Sequence, residues 1–253
     1  MAHEIYDETR LAAPVPQREE KILCILVGVV ILFTMVGTLG AVWGGPALGD
    51  HEAMVAQCAR NMRLSGDWVV PKYLGTPWFR KPPLPYWLIA AVSYVLSNDP
   101  STGLPVSTMA ARLPTAVSAF VTVLLLWHLA ASMFGKRVGL ITAVITASSL
   151  MFLLYGANAT PEMLLTMCCT WAFFHFWYAV TSRNPRKRFL HAMFFYVAMG
   201  LGMLAKGPAP IALTAFPLAV WWYTQRSLRF FAYKKPGGLR SAIVLFFSDF
   251  KPR

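Results

Sequence analysis

GDHEAMVAQCARNMRLSGDWVVPKYLGTPWFRKPPLPYW, residues Gly49 to Trp87, is the longest polar interval between the first apolar run and the rest of the chain. It gathers acids, bases, aromatics and five prolines in a protein with few charges elsewhere. Asp50 to Leu64 reads as an amphipathic helix, with His51, Val55, Cys58 and Met62 near one face and Gln57, Arg60 and Arg63 turned away. Such a helix suits the membrane interface. Ser65, Gly66 and Asp67 end it, and Trp68 is an interfacial anchor. Pro71, Pro77, Pro82, Pro83 and Pro85 forbid regular helix across the following stretch, which reads as a loop.

The rest of the chain reads as a frame for this interval. Of 253 residues, 57% are hydrophobic and 13% charged, and mean hydropathy is +0.51. Those values exclude an ordinary soluble domain. The net charge of +12 sits in short clusters between apolar runs, not in one stripe or arm, which argues against a nucleic-acid partner. The expected organisation is an all-α polytopic membrane helical bundle. A cytoplasmic tail over 1–21 is followed by a transmembrane domain over 22–225 and a basic cytoplasmic tail over 226–253. Within it, spans are expected at 22–43, 107–134, 138–155, 163–180, 189–205 and 208–224, with an outer loop at 44–106.

The run Leu84 to Leu96 is short for a span and decides the topology. If it stays on the outer surface, Lys136 and Arg137, the cluster from Arg183 to Arg188 and the tail from Arg226 to Arg240 all share the side of the N-terminus. That is the positive-inside arrangement, with both termini cytoplasmic. The four cysteines lack metal-ligand spacing, and neither a disulfide nor a metal centre is expected.

On this topology Asp50, His51, Glu52, Arg60, Arg63, Asp67, Lys72, Arg80, Lys81, Arg112, Glu162 and Lys206 collect on the outer face. Ionisable groups at the edges of apolar spans point to a site unless they face a partner. Each also has a structural alternative. Asp50 suits a helix N-cap, Glu162 the positive end of a helix, and Arg112 and Lys206 suit snorkelling to headgroups. His51, on the apolar side of its helix, is expected to be packed. His128 and His175, near the far ends of their spans, are expected to be structural.

The residues Asp50-x-Glu52, Ser65-Gly66-Asp67-Trp68, Pro71, Gly75, Pro77 and Lys81-Pro82-Pro83-Leu84-Pro85-Tyr86-Trp87 resemble the first outer loop of the GT-C membrane glycosyltransferases. The aminoarabinose (ArnT-type) transferases and the protein O-mannosyltransferases are the most similar branches. The resemblance continues through Ala111-Arg112-Leu113-Pro114, Phe134-Gly135, Ala159-Thr160-Pro161-Glu162 and Lys206-Gly207-Pro208. It implies transfer of a sugar from a polyprenyl-phosphate carrier to a lipid, glycan or protein acceptor at the outer face of a bacterial inner membrane. Asp50 would act as general base or orient the acceptor, with Glu52 sharing its role. Glu162 stands where the family usually has an aspartate, and Lys81 lies in the loop that closes over the donor phosphate.

Chemistry agrees with that implication. The leaving group is a phosphate, so cations aimed at it stabilise the transition state, and Lys81, Arg80, Arg112 and Lys206 are available. No cofactor is expected. A divalent ion between Asp50 and Glu52 is the weaker alternative, since the cations can serve the phosphate without it. The resemblance implies members about twice as long, so the chain is expected to resemble an N-terminal half, through truncation, a split gene or a degenerate reading frame, with a C-terminal half or partner subunit as an expected partner. The competing function is a non-catalytic protein that binds lipid-linked sugar or forms part of a split transferase. A transporter lacks support, because the spans hold few ionisable residues at their midpoints.

Overall fold

The computed structural model describes residues 47–96 and 103–224 continuously, and scattered positions within 22–42. The first expected span is therefore seen only at isolated positions, and the basic tail lies outside the described residues. The elements in order are α1 (Asp50–Ser65), β1 (Lys72–Tyr73), β2 (Thr76–Pro77), α2 (Leu84–Val95) and α3 (Thr108–Phe134). There follow α4 (Lys136–Ser148), α5 (Leu150–Ala157), α6 (Pro161–Thr181) and α7 (Pro185–Lys206), then α8 (Ile211–Thr224).

Helices α3, α6 and α7 are each long and apolar enough to cross a bilayer. Their ends carry the expected stop and start chemistry. Ser107 caps α3 by accepting from the Ala110 amide, and Asn184 caps α7 by accepting from Arg186 and Lys187. Pro161 and Pro185 occupy first helical positions, where a missing amide hydrogen costs nothing.

Two apolar runs differ from a simple span. The run expected at 138–155 divides into α4 and α5, bent by 63°. Ser149 sits at the break in extended conformation, which interrupts the helical hydrogen-bond ladder. The run expected at 208–224 is π-helical over Ile211–Ala215.

The helices pack through small residues. The buried face of α7 is Ala198, Gly202 and Ala205, and α3 buries Ala110, Ala111, Thr115, Ala116, Ser118 and Ala119 on one side. Small side chains let backbones approach closely where lipid offers no hydrophobic drive for helix association. At Gly202 a Cβ would lie 2.7 Å from Pro210 Cγ and 3.3 Å from Cys168 Cβ. This close approach sets α7 against both α6 and the start of α8.

The polar interval folds on one end of the bundle. Val55, Cys58, Ala59 and Met62 of α1 pack with Tyr86, Ile89 and Ala90 of α2 and with Ala110 and Ala111 of α3. The Arg63 guanidinium donates both to the Ser93 carbonyl in α2 and to the Pro105 carbonyl just before α3. These bonds hold the end of α2 and the approach to α3 together on α1. Arg60 donates to the Val106 carbonyl and ties down the same approach.

The proline-rich stretch is more ordered than a bare loop. Strands β1 and β2 pair antiparallel, Lys72 opposite Pro77 and Tyr73 opposite Thr76. Leu74 and Gly75 form the turn at φ 50° and 81°. A two-residue turn with both φ values positive matches the twist of a hairpin, and glycine at its second position relieves the strain.

Replacing Gly202 with valine should push α7 away from Pro210 and cost about 1–3 kcal/mol, as overpacking does in close-packed cores. Detergent-titrated unfolding followed by circular dichroism measures the loss. Gly200, with open space around its Cβ position, should tolerate alanine with far less effect.

Candidate active site

Helix direction gathers the candidate residues at one end. α3 and α6 begin at that end and α7 finishes there, so Arg112 meets Glu52 in the first turn of α1 and Lys206 meets Glu162. The α3–α4 junction with Lys136 and Arg137, and the α6–α7 junction with the Arg183 to Arg188 cluster, lie at the opposite end. For α3 that separation is about 40 Å along the helix.

Glu52 joins three segments. Its carboxylate takes two hydrogen bonds from Arg112, Nε to Oε1 at 2.9 Å and a terminal nitrogen to Oε2 at 2.8 Å. The Ala159 amide donates to Oε1 at 2.7 Å, and the Gly49 amide donates to Oε2 at 3.1 Å. The two side chains are only 2% and 7% exposed. Burial alone would raise the Glu52 pKa, but Arg112, Ala159 and Gly49 overcome it and hold the carboxyl below its usual range. Each oxygen already accepts two donors, so the capacity of the carboxylate is filled. The alternative of a divalent ion between Asp50 and Glu52 does not fit that donor set, because Glu52 has no lone pair left to offer.

A second group lies beside this pair. Glu162 follows Pro161 in the first turn of α6, and the Lys206 ammonium at the last residue of α7 donates to its Oε1 at 2.9 Å. Gly207, at φ 63°, turns the chain immediately after Lys206, which a residue with a Cβ resists. A lysine closing α7 and a glutamate opening α6 each also suit the local helix dipole.

Lys81 completes the group from the loop before α2. Its ammonium lies 2.8 Å from His51 Nε2 and interacts electrostatically with both Glu162 and Lys206. Burial pushes Lys81 below the usual lysine range; Lys206 adds to this and Glu162 opposes it. Beneath Lys81, the Cys58 thiol and the Tyr86 phenol are buried. Burial raises the Cys58 pKa to about 11 and also raises that of Tyr86, so Cys58 stays a protonated, inert thiol. Arg80 stands apart from the ammonium groups, its guanidinium over the Trp78 ring at 4.9 Å.

The candidate site residues among those singled out in the sequence therefore divide. Lys81, His51, Glu162 and Lys206 are brought together. Glu52 and Arg112 are brought to each other. Asp50 is exposed in the same first turn of α1 and makes no hydrogen bond or ion pair among the described residues. His51 corrects the expectation that it packs on the apolar face: it is exposed, and Glu52 takes the buried position of that turn instead. Periodicity cannot separate the two, because a histidine and a glutamate are both admissible on either face until a partner such as Arg112 is present.

A helical membrane bundle with cations and carboxylates clustered at one end is the architecture of the GT-C glycosyltransferases. The profile of the dolichyl-phosphate-mannose-protein mannosyltransferase family matches residues 80–248, and the chain belongs to that family. Among curated relatives, the undecaprenyl phosphate-alpha-4-amino-4-deoxy-L-arabinose arabinosyl transferase 2 of Sodalis glossinidius is 27% identical over 176 residues, covering 69% of this chain and 30% of that protein. The corresponding transferase of Pseudomonas savastanoi pv. phaseolicola is 30% identical over 185 residues, covering 70% of this chain and 32% of that protein. The fold matches ArnT from Cupriavidus metallidurans bound to undecaprenyl phosphate, with a TM-score of 0.68 at 21% identity, over 91% of this chain and 40% of that one. The apo form of that protein gives 0.67 at 23% identity, over 83% of this chain and 37% of that one. The chain is an integral membrane protein, and it spans about a third of the length of these curated relatives.

Glu52→Gln should leave the Arg112 guanidinium buried and uncompensated, costing about 3–5 kcal/mol. Arg112→Met should cost a similar amount, and the double variant less than the sum of the two, in a double-mutant cycle read by detergent-titrated unfolding. The sign with pH follows from the depressed pKa. The contribution of Glu52 is complete above about pH 4.3, the unfolded glutamate value, and is lost as pH falls through the lower folded value. The gap between wild type and Glu52→Gln should therefore narrow on acidification.

Proposed function

We propose that this chain is the donor-binding, catalytic part of a membrane glycosyltransferase that moves a sugar from a polyprenyl-phosphate carrier to a lipid, glycan or protein acceptor. The observation that carries this reading is the convergence of Lys81 and Lys206 around Glu162 at one end of an apolar bundle. A phosphate ester on a long hydrocarbon chain matches that arrangement: the chain stays among the spans while the phosphate meets the ammonium groups. The curated relatives are named as undecaprenyl phosphate-alpha-4-amino-4-deoxy-L-arabinose arabinosyl transferases, which supports the same donor class.

In this proposal Lys81 and Lys206 neutralise the phosphate as the bond to the anomeric carbon breaks, which is where preorganised cations contribute most. Arg80, adjacent to Lys81 and stacked on Trp78, extends positive potential over the same mouth. Asp50 and Glu162 orient the acceptor and offset the positive charge that develops on the sugar. Glu52 and Arg112 hold the geometry and take no part in bond making. The polar end faces outward and the arginine and lysine clusters at the other end face the cytoplasm, by the positive-inside rule. The reaction needs no cofactor, since the leaving group is already an anion at neutral pH.

A second reading, one part of a split transferase, draws on the length of the curated relatives, of which this chain spans about a third. Purified chain in nanodiscs, supplied with a polyprenyl-phosphate-linked pentose or hexose, separates the two: transfer supports the first, and saturable donor binding without transfer the second. Lys81→Ala should lower kcat/KM for the donor about 100-fold, equivalent to about 2.7 kcal/mol of lost transition-state stabilisation, while Lys81→Arg keeps part of it. Unaltered donor kinetics in Lys81→Ala would remove Lys81 from the site.

A further inference from the structure

At the end of the bundle opposite the candidate active site, α3, α6 and α8 border a cavity of about 290 Å³. Leu129 and Met133 of α3 form one wall, Phe173, Trp177 and Val180 of α6 a second, and Trp221 of α8 the third. Thr170 carries the one hydroxyl in the lining. A polar substrate would leave its water there for almost nothing to bond to, whereas a hydrocarbon chain enters without that cost. Leu129 lies about 25 Å along α3 from Arg112 at 1.5 Å per residue. The cavity is therefore separate from the carboxylates and cations described above.

Its depth is that of one leaflet. Met133 and Val180 are the next-to-last residues of α3 and α6, so the cavity reaches the helix ends. From Val180 inward to Thr170 the α6 wall runs about 15 Å, half of a hydrocarbon core of roughly 30 Å. Just beyond those ends stand exposed cations, Lys136 and Arg137 on one side and Arg183 with the run Arg186 to Arg188 on the other. Between Asp99 and Asp249 the chain holds a single carboxylate, Glu162, and it opens α6 at the other end. This stretch of chain thus supplies no carboxylate to the basic rim. An apolar slot one leaflet deep under a basic rim matches the two parts of one molecule, an acyl chain and an anionic headgroup.

We propose that this cavity is a binding site for one anionic phospholipid of the adjoining leaflet, its acyl chain between α3, α6 and α8 and its phosphate among Lys136, Arg137 and Arg183. Cations beside a slot between spans select anionic lipids by headgroup charge. The slot adds the hydrocarbon contact that a bare basic surface lacks, because an acyl chain supplies the dispersion partners that a void withholds from its lining. The carrier lipid of the proposed function is a different molecule at a different place, its phosphate belonging with Lys81 and Lys206 at the far end. Binding of the phospholipid is independent of whether the chain transfers sugar.

The test is native mass spectrometry of the full chain in detergent, supplied separately with palmitoyl-oleoyl phosphatidylglycerol, phosphatidylcholine of the same chains, and undecaprenyl phosphate. Phosphatidylglycerol is expected to saturate at one per chain and phosphatidylcholine to bind about tenfold more weakly. Lys136→Gln combined with Arg183→Gln, both at exposed positions, should weaken phosphatidylglycerol about 30-fold. The acyl chain is followed separately, with one equivalent of phosphatidylglycerol brominated along its chains. That lipid should quench tryptophan emission of the wild type, and Trp177→Phe combined with Trp221→Phe should remove most of the quenching.

Equal retention of phosphatidylglycerol and phosphatidylcholine would overturn the proposal, since the rim would then select nothing. Weakening by the charge variant without quenching that depends on Trp177 and Trp221 would leave the lipid on the basic surface and overturn the cavity as its seat. Undecaprenyl phosphate that displaces the brominated lipid at equal concentration would give the cavity to the carrier lipid instead. Retention of no lipid would leave it to a protein segment, and would overturn the proposal equally.

Discussion

The buried ion pair between Glu52 and Arg112 is the constraint on which the polar end depends. Removing two charges from water costs several kcal/mol per ion unless geometry and further hydrogen bonds compensate. Here the compensation is complete at Glu52, with a bidentate guanidinium and two backbone amides on one carboxylate. Each of those donors comes from a different place in the chain: the start of α1, the first turns of α3, and the link before α6. The pair therefore fixes three segments in one geometry, and a shift in any of them leaves a buried charge unmatched. That is a specificity device as much as a stabilising one, because apolar packing among small residues on α3 and α7 tolerates sliding better than a bidentate pair does.

The site groups are positioned as a consequence. With the Ala159 amide anchored to Glu52, Pro161 and Glu162 open α6 beside α1, and Glu162 meets Lys206 where α7 ends against Gly207. The close approach at Gly202 sets the level at which α7 finishes. Lys81 then arrives from the hairpin side, where Tyr73 and Trp78 pack at 5.3 Å between ring centres and Trp87 donates to the Trp68 carbonyl at 2.7 Å. The cations thus stand on separate supports, a helix terminus for Lys206 and an aromatic-buttressed loop for Lys81.

Much of this was legible before the structure. Uninterrupted apolar runs marked α3, α6 and α7, since crossing a bilayer demands a length that few other folds use. The basic clusters marked the end away from the site, and the run from Lys81 to Trp87, with the acids at Asp50 and Glu52, carried the family resemblance. Less legible was the interior of each run. The break at Ser149 and the π-helical turn at Ile211–Ala215 leave hydropathy unchanged, because bending or widening a helix exchanges one apolar neighbour for another.

The sequence by itself determined which residues could be solvated by lipid and which could not, and hence the all-helical frame and the set of ionisable groups driven to one end. Only the tertiary structure decided who pairs with whom. Glu52 finds Arg112 across 60 residues and the Ala159 amide across 107, while Lys81 finds His51 across 30. Periodicity reports neighbours three or four residues apart, so it placed His51 on the buried face and left Glu52 beside Asp50. The desolvation cost of a carboxylate is offset only where a guanidinium from another helix arrives, and that arrival is a property of the folded chain.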